Sequence, residues 1–154
     1  MRTRFYVPAA LIAVAALRLL VTSTFAAEPI HARDGLALSG YDAVAYFTQS
    51  KAVKGDPKFE HEWGGARWRF ASAANRDAFA RSPEKYAPRY GGYCAYAVSR
   101  NYTAPTDPEA WKVVDGKLYL NYDKKVRELW EKELPGVIAT ADRNWPGVLT
   151  RPAR

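Results

Sequence analysis

Cys94 is the only cysteine of the chain, and His31 and His61 are its only histidines. Cys94 follows Gly91-Gly92-Tyr93 and is placed to open a helical turn. A thiol at a helix N-terminus can have a lowered pKa, because backbone N–H groups stabilise the thiolate. A lone cysteine is also commonly a small buried apolar residue, so core packing stands beside chemistry for Cys94. His61 lies among Phe59, Trp63 and Trp68. It reads either as a core histidine with one hydrogen bond, or as a ligand or proton carrier beside Cys94. His31 reads as solvent-facing. A closed zinc site needs four ligands, and here it would have to recruit carboxylates, so tight structural zinc is not expected. Cys94 and His61 suit a softer three-ligand copper site, and a copper ion is the cofactor this set allows. Tyr41, Asp42 and Tyr93 offer polar tips for a small-ligand pocket. The alternative is that Asp42 caps a helix and the tyrosines pack with their hydroxyls bonded. There is no Ser-His-Asp order, HExxH, phosphate loop or dinucleotide fingerprint, so no enzyme class is indicated. Asn101-Tyr102-Thr103 matches the glycosylation triplet, a short motif frequent by chance.

The elements that must position these residues are short. Asp42 caps a helical turn at Ala43–Phe47. Gly64-Gly65 is a two-residue hairpin turn within Phe59–Ala71. That turn pairs Glu62 with Arg67 and Glu60 with Arg69 on a wet face. It pairs His61 with Trp68 and Phe59 with Phe70 on a dry face, so the pattern itself specifies the register. Ser72 caps a helix over Ala73–Arg81, with Phe79 and Ala80 inward, and Pro83 starts a turn through Tyr86. Asp115-Gly116 joins a second hairpin, Trp111–Val114 with Lys117–Asn121, whose Trp111, Val113, Leu118 and Leu120 share a face. Val126, Leu129, Trp130 and Leu134 recur at helical spacing in Lys124–Leu134, and a last helix covers Val137–Asn144. Short hairpins among short helices predict a small single α+β domain, with the C-terminal helices packed on the sheet.

The first 26 residues read as a cleavable secretory signal. Arg2 and Arg4 supply the positive start, and Val7–Val21 the apolar stretch, interrupted by Arg18. Thr24-Phe25-Ala26 fits the small-x-small cleavage rule. A membrane anchor needs roughly 20 apolar residues, and this run is shorter and charged, so no stable span is expected after cleavage. Residues 27–38 follow as an extended lead-in, 39–149 as the domain and 150–154 as a tail. The chain's charge is +7. Arg2, Arg4 and Arg18 leave with the signal and no acid precedes Glu28, so the mature charge falls by three. No basic stripe remains, which argues against nucleic-acid binding. An exported chain with one cysteine has no internal disulfide, so its stability rests on packing. The 14% aromatic content suits that. These features place the protein in the periplasm or outside the cell.

Several motifs, in order, carry a family resemblance. They are Gly40-Tyr41-Asp42-Ala43-Val44-Ala45-Tyr46-Phe47, Trp68-Arg69-Phe70-Ala71-Ser72, Pro83-Glu84-Lys85-Tyr86 with Phe79 before it, Tyr90-Gly91-Gly92-Tyr93-Cys94, Trp111–Tyr122 and Asn144-Trp145-Pro146-Gly147. Together they resemble the exported bacterial YHS-domain proteins over nearly all of residues 38–149. The resemblance implies a small metal-associated module whose wider family carries cysteines at positions matching Ala45, Ala71 and Asn75. All three thiols are missing, so that metal site does not carry over. Some members of the group are labelled selenoproteins, and Cys94 is the only thiol here that could match a selenocysteine. The combined expectation is a non-enzymatic exported domain that binds a small ligand or a metal ion. The alternatives are a thiol-redox protein using Cys94, which would need a partner's thiol, and an interaction module for another envelope protein.

If the signal is cut after Ala26, protein recovered from the periplasm has Ala27 at its N-terminus. Intact-mass measurement checks this, and the full-length mass in that fraction would refute it.

Overall fold

The computed structural model describes residues 27–151. Its elements, in chain order, alternate short strands with short helices. Strands β1 (Ala32–Arg33) and β2 (Leu36–Ala37) come first, then helix α1 (Ala45–Thr48). The hairpin β3 (Asp56–Trp63) and β4 (Ala66–Phe70) follows, then α2 (Ala73–Arg81), α3 (Pro83–Tyr86) and α4 (Ala95–Ser99). A second hairpin, β5 (Asp107–Val114) and β6 (Lys117–Asn121), precedes α5 (Lys124–Lys132) and α6 (Gly136–Asn144). The strands form a four-stranded sheet in the order β1-β2-β4-β3 and a separate β5-β6 ribbon. The fold is α+β, as the short mixed elements require. Among the described residues, no helix is long and apolar enough to cross a membrane.

The first hairpin has the predicted turn. Gly64 and Gly65 both take positive φ, at 62° and 79°, the conformation a two-residue turn between twisted strands demands. Glu60 faces Arg69, His61 faces Trp68 and Glu62 faces Arg67. The predicted Phe59–Phe70 pair does not form. The register shifts between Asp56 and Glu60, and Asp56 faces Phe70 instead. Phe59 still packs on the core edge. The wet-face charges also regroup. Glu60 binds Arg69 at 2.7 Å and lies 3.7 Å from Arg67, part-exposed contacts worth little each.

The dry face builds the first of two cores. Trp68 and Phe70 lie 4.8 and 5.1 Å from the Phe79 ring, which α2 presents to them. Trp68 donates its indole N–H to the Trp63 carbonyl at 3.0 Å, so its one polar atom is satisfied in the interior. Ser72 caps α2 as expected, accepting from Asn75 N at 3.1 Å. Ala80, expected inward, is exposed, and Ala78 packs on the core instead. Asn75, Ala78 and Phe79, spaced i, i+3 and i+4, share the inward face, and Ala80 falls off it.

Strand β6 stands between the cores. Leu118 and Leu120 join the first, whereas Tyr119 belongs to a second with Tyr90, Tyr93, Val98, Trp130 and Val137. Alternation along the strand sends successive side chains to opposite cores. On the β5 side, Trp111 and Val113 flank the first core with Leu118 and Leu120, the shared face read from the sequence. Helix α5 is shorter than the predicted Lys124–Leu134, and Leu129 is 47% exposed rather than inward. The helix turns Trp130 into the second core and aligns Arg127 and Glu131 with Lys112 of β5. Glu131 accepts from Lys112 at 2.9 Å and lies 3.2 Å from Arg127. Leu129 then faces away. Asn144 of α6 donates to the Val98 and Ser99 carbonyls at 2.8 and 3.2 Å, satisfying the free end of α4.

The lead-in is not merely extended. Asp34-Gly35 turns it into a small hairpin, and β2 pairs with β4 in parallel through Leu36 and Arg67. His31 donates its backbone N–H to Gly91 O at 2.8 Å. Gly91 has φ 60°, and a Cβ there would collide with the Pro29 carbonyl, so only glycine lets the lead-in lie down. His31 is accordingly half-buried against the Tyr93 ring, at 5.0 Å, and not solvent-facing. Burial, with Arg33 nearby, pushes its imidazole pKa below the ordinary value.

Trp68 is 1% exposed. Trp68→Ala is expected to cost about 3–5 kcal/mol, as other buried aromatic truncations do. Urea denaturation checks it; a midpoint near wild type would show that Trp68 does not hold the core.

Candidate functional site

Asp42 is the most constrained polar residue in the domain. It is fully buried. Its Oδ1 accepts from the Val44 and Ala45 N–H groups at 2.8 and 3.2 Å, which caps α1. Its Oδ2 accepts from Ala71 N at 2.8 Å and Asn75 Nδ2 at 2.7 Å. Four donors converge on one carboxylate, and three come from Ala45, Ala71 and Asn75. Those are the positions at which the resemblance places cysteines. A hydrogen-bonded carboxylate therefore occupies the centre of that triangle. With all its lone pairs engaged, Asp42 has no atom left for a ligand, so its expected place in a pocket is corrected to a structural one. Tyr41 beside it bridges to Lys54. Tyr93 is elsewhere, in the second core, donating its hydroxyl to Glu28 O at 2.9 Å. The three residues do not line a common pocket.

Cys94 and His61 are likewise separate in their contacts. His61 meets the Phe79 ring edge-on at 6.1 Å. Cys94 stands at the N-cap position of α4 and is 1% exposed. Its sulfur accepts from Tyr122 N at 3.3 Å and lies 3.7 Å from Asn121 Oδ1, to which the thiol can donate. Asn121 Oδ1 also accepts from Tyr96 N at 3.2 Å, and this fixes the orientation of the amide. Burial pushes the Cys94 pKa up. The N–H groups of Ala97, Tyr122 and Tyr96 pull it only part of the way back. The helix N-terminus foreseen at Cys94 exists, but desolvation outweighs it and the thiol stays protonated. Among the described residues, no group of three or more His, Cys, Asp or Glu side chains is arranged to hold a metal ion.

Cys94 does line a cavity, of about 450 Å³. Tyr96, Tyr102 and Tyr122 supply aromatic wall, and Pro105 and Val126 complete it. The segments come from α4, the loop after it, the end of the β5-β6 ribbon and the first turn of α5. Tyr96 is braced from outside. Its hydroxyl donates to Glu133 at 3.1 Å, and the Arg100 guanidinium lies 4.7 Å from its ring centroid. Tyr122 is 54% exposed. Thr103 also lines the cavity and is buried. Behind Cys94, the buried Asn121 Nδ2 has no hydrogen-bond partner among the described residues. No charged side chain lines the space. A larger cleft of about 640 Å³ runs past Tyr46, Trp111, Lys112 and Glu131. Its charged groups already bind one another, so it has less to offer a ligand.

Of this site, sequence reasoning found only Cys94. Tyr96, Tyr102, Tyr122 and the Asn121 anchor were missed. The one available signal was the density of tyrosines between residues 90 and 122. Tyr102 and Thr103, both on the cavity lining, were noticed only as part of a glycosylation triplet.

Two outcomes follow. Asp42→Ala strands several buried donors and should cost about 3–5 kcal/mol in urea denaturation; a loss below about 1 kcal/mol would refute the central role of the carboxylate. Cys94 should react slowly with iodoacetamide in the folded protein, with a rate still climbing past the ordinary thiol pKa. Because its folded pKa is raised, the unfolded chain releases the thiol proton first. The Cys94 contribution to stability is thus present below the unfolded pKa and lost as pH rises through the folded one. A rate that levels off near pH 7 would contradict this.

Against family models, curated proteins and solved structures, the chain matches none.

Proposed function

We propose that this is an exported, non-catalytic binding domain of the YHS type, and that it holds a small uncharged ligand in the tyrosine-walled cavity over Cys94. The observation that carries the reading is the cavity itself. Its volume falls in the range used for small molecules, and its walls are apolar and aromatic with a few polar groups. Export rests on the charged start, apolar run and cleavage motif of residues 1–26, and the YHS assignment on the ordered motifs between Gly40 and Gly147. In this reading Cys94 is a protonated floor residue. Its burial and raised pKa work against a nucleophilic thiolate, and no second thiol is present for a dithiol cycle. A copper site built from Cys94 and His61 loses its support, because the sulfur is engaged by Asn121 and Tyr122 while His61 packs on Phe79.

The neutral fluorophore N-phenyl-1-naphthylamine tests the reading. Its emission should rise and shift to the blue with the wild-type protein. Val126→Trp fills the cavity from the half-buried first turn of α5 and should abolish that response while leaving the far-UV circular dichroism unchanged. Equal binding by the two proteins, or none by the wild type, would overturn the cavity as the site.

A further inference from the structure

The larger cleft, past Tyr46, Trp111, Lys112 and Glu131, has a strand edge for its floor. We infer that it docks an extended protein segment that alternates apolar and acidic side chains and adds to β5 as an antiparallel third strand of the ribbon.

The backbone makes the first case. Among the described residues β5 pairs with β6 alone, so its other edge has no strand beside it. Asp115 and Gly116 both take positive φ, at 49° and 71°. The ribbon therefore closes in a two-residue turn whose flanking pair, Val114 and Lys117, is hydrogen-bonded. Bonded and unbonded pairs then alternate along the strands. The backbone of Lys112 bonds that of Tyr119. Trp111 and Val113 lie opposite Leu120 and Leu118 with their N–H and C=O groups turned outward. No backbone group among the described residues takes up those four.

The cleft straddles this edge. Tyr46 and Phe47 of α1 wall it on the side to which Trp111 turns, and Arg127 and Glu131 of α5 wall it on the side of Lys112. The usual devices that blunt an edge strand lie off this stretch. Pro108 and the register shift belong to the first half of β5, and Lys112 is drawn aside onto Glu131 at 2.9 Å.

Charge and register choose the occupant. An added strand repeats the two-sided pattern of β5, because cross-strand neighbours share a face. Its residues beside Trp111 and Val113 meet the α1 rings. The residue between them meets Lys112 and Arg127, two cations that share the single carboxylate of Glu131. The buried Arg127 Nε lies 3.2 Å from that carboxylate without the geometry of a hydrogen bond. An acidic side chain there supplies the missing charge. A second copy of the chain fits less well. The antiparallel register that engages Trp111 and Val113 of both copies sets Lys112 against Lys112, a like-charged pair.

Amide exchange followed by NMR tests this, with the peptide acetyl-Ser-Thr-Val-Glu-Val-Thr-Ser-amide as the probe. In the protein alone, the Trp111 and Val113 amides should exchange fast and the Lys112 amide slowly. The peptide should slow the first two. Replacing its glutamate by lysine should weaken binding about tenfold, as attraction gives way to repulsion. Methylating the nitrogens of both valines removes the donors aimed at β5 and should abolish binding. Arg127→Gln should narrow the gap between the glutamate and lysine forms. Failure of the glutamate peptide to bind, equal affinity for the two forms, or binding that survives methylation would overturn the inference. Binding that leaves the Trp111 and Val113 amides fast would place the peptide elsewhere and overturn it too. Protection of those amides in the protein alone, growing with its concentration, would give the edge to a second copy and overturn the segment as its occupant.

Discussion

The fold depends on keeping one buried carboxylate satisfied. Asp42 has no exposure and, among the described residues, no ion pair, and its carboxyl group is held entirely by N–H groups. Those groups belong to the start of α1, the residue just past β4 and the first turn of α2. A carboxylate in an apolar interior is tolerable only while its donors stay in place. The three segments are therefore fixed to one another by directed hydrogen bonds in addition to the apolar core they share. From that junction α2 swings Phe79 under Trp68 and Phe70, and the Tyr46 hydroxyl reaches the Pro108 carbonyl at 2.9 Å to draw in the second hairpin. With β6 set in place, its outer face offers Tyr119 and Asn121 to the second core, and Asn121 in turn fixes Cys94.

Local patterns were readable where two requirements coincided on neighbouring residues. In the first hairpin, turn glycines, opposed charges and opposed aromatics all demand the same register, and the structure adopts it from Glu60 to Arg69. The second hairpin and the helix capped by Ser72 were readable for the same reason, whereas the Asp123 cap of α5 was not foreseen. The failures share a cause. Asp42 was recognisable as a cap from its neighbours, but its other two partners lie 29 and 33 residues away. The strands of the lead-in are two residues long, too short for periodicity, and exist because Gly91 and β4 receive them. Leu129 fits the helical stripe by spacing alone, yet burial of Trp130 in the second core decides which side of α5 turns inward, and Glu131 then meets both Lys112 and Arg127.

The site was less legible than the fold because a cavity is a property of elements that meet. Cys94 attracted notice through its rarity, whereas Tyr96, Tyr102 and Tyr122 looked like ordinary packing residues. What distinguishes them is that Asn121 crosses from β6 to the start of α4 and holds two chain segments around a space they do not fill. Nothing in the types or spacing of those tyrosines separates a wall from a core. The same geometry settles Cys94, since a helix N-terminus favours a thiolate only when the sulfur keeps its access to water.

The Ala27 N–H donates to the Leu149 carbonyl at 2.7 Å, so the chain enters and leaves the domain at one spot. Ends that meet can be joined by a short linker without disturbing the cores, and the exposed Asp115-Gly116 turn is a place to open the chain instead. The domain is in this sense a closed loop. Its order of elements along the chain is separable from its architecture, and a circular permutant would begin at β6 and end at β5 with every junction around Asp42 still made within one uninterrupted stretch.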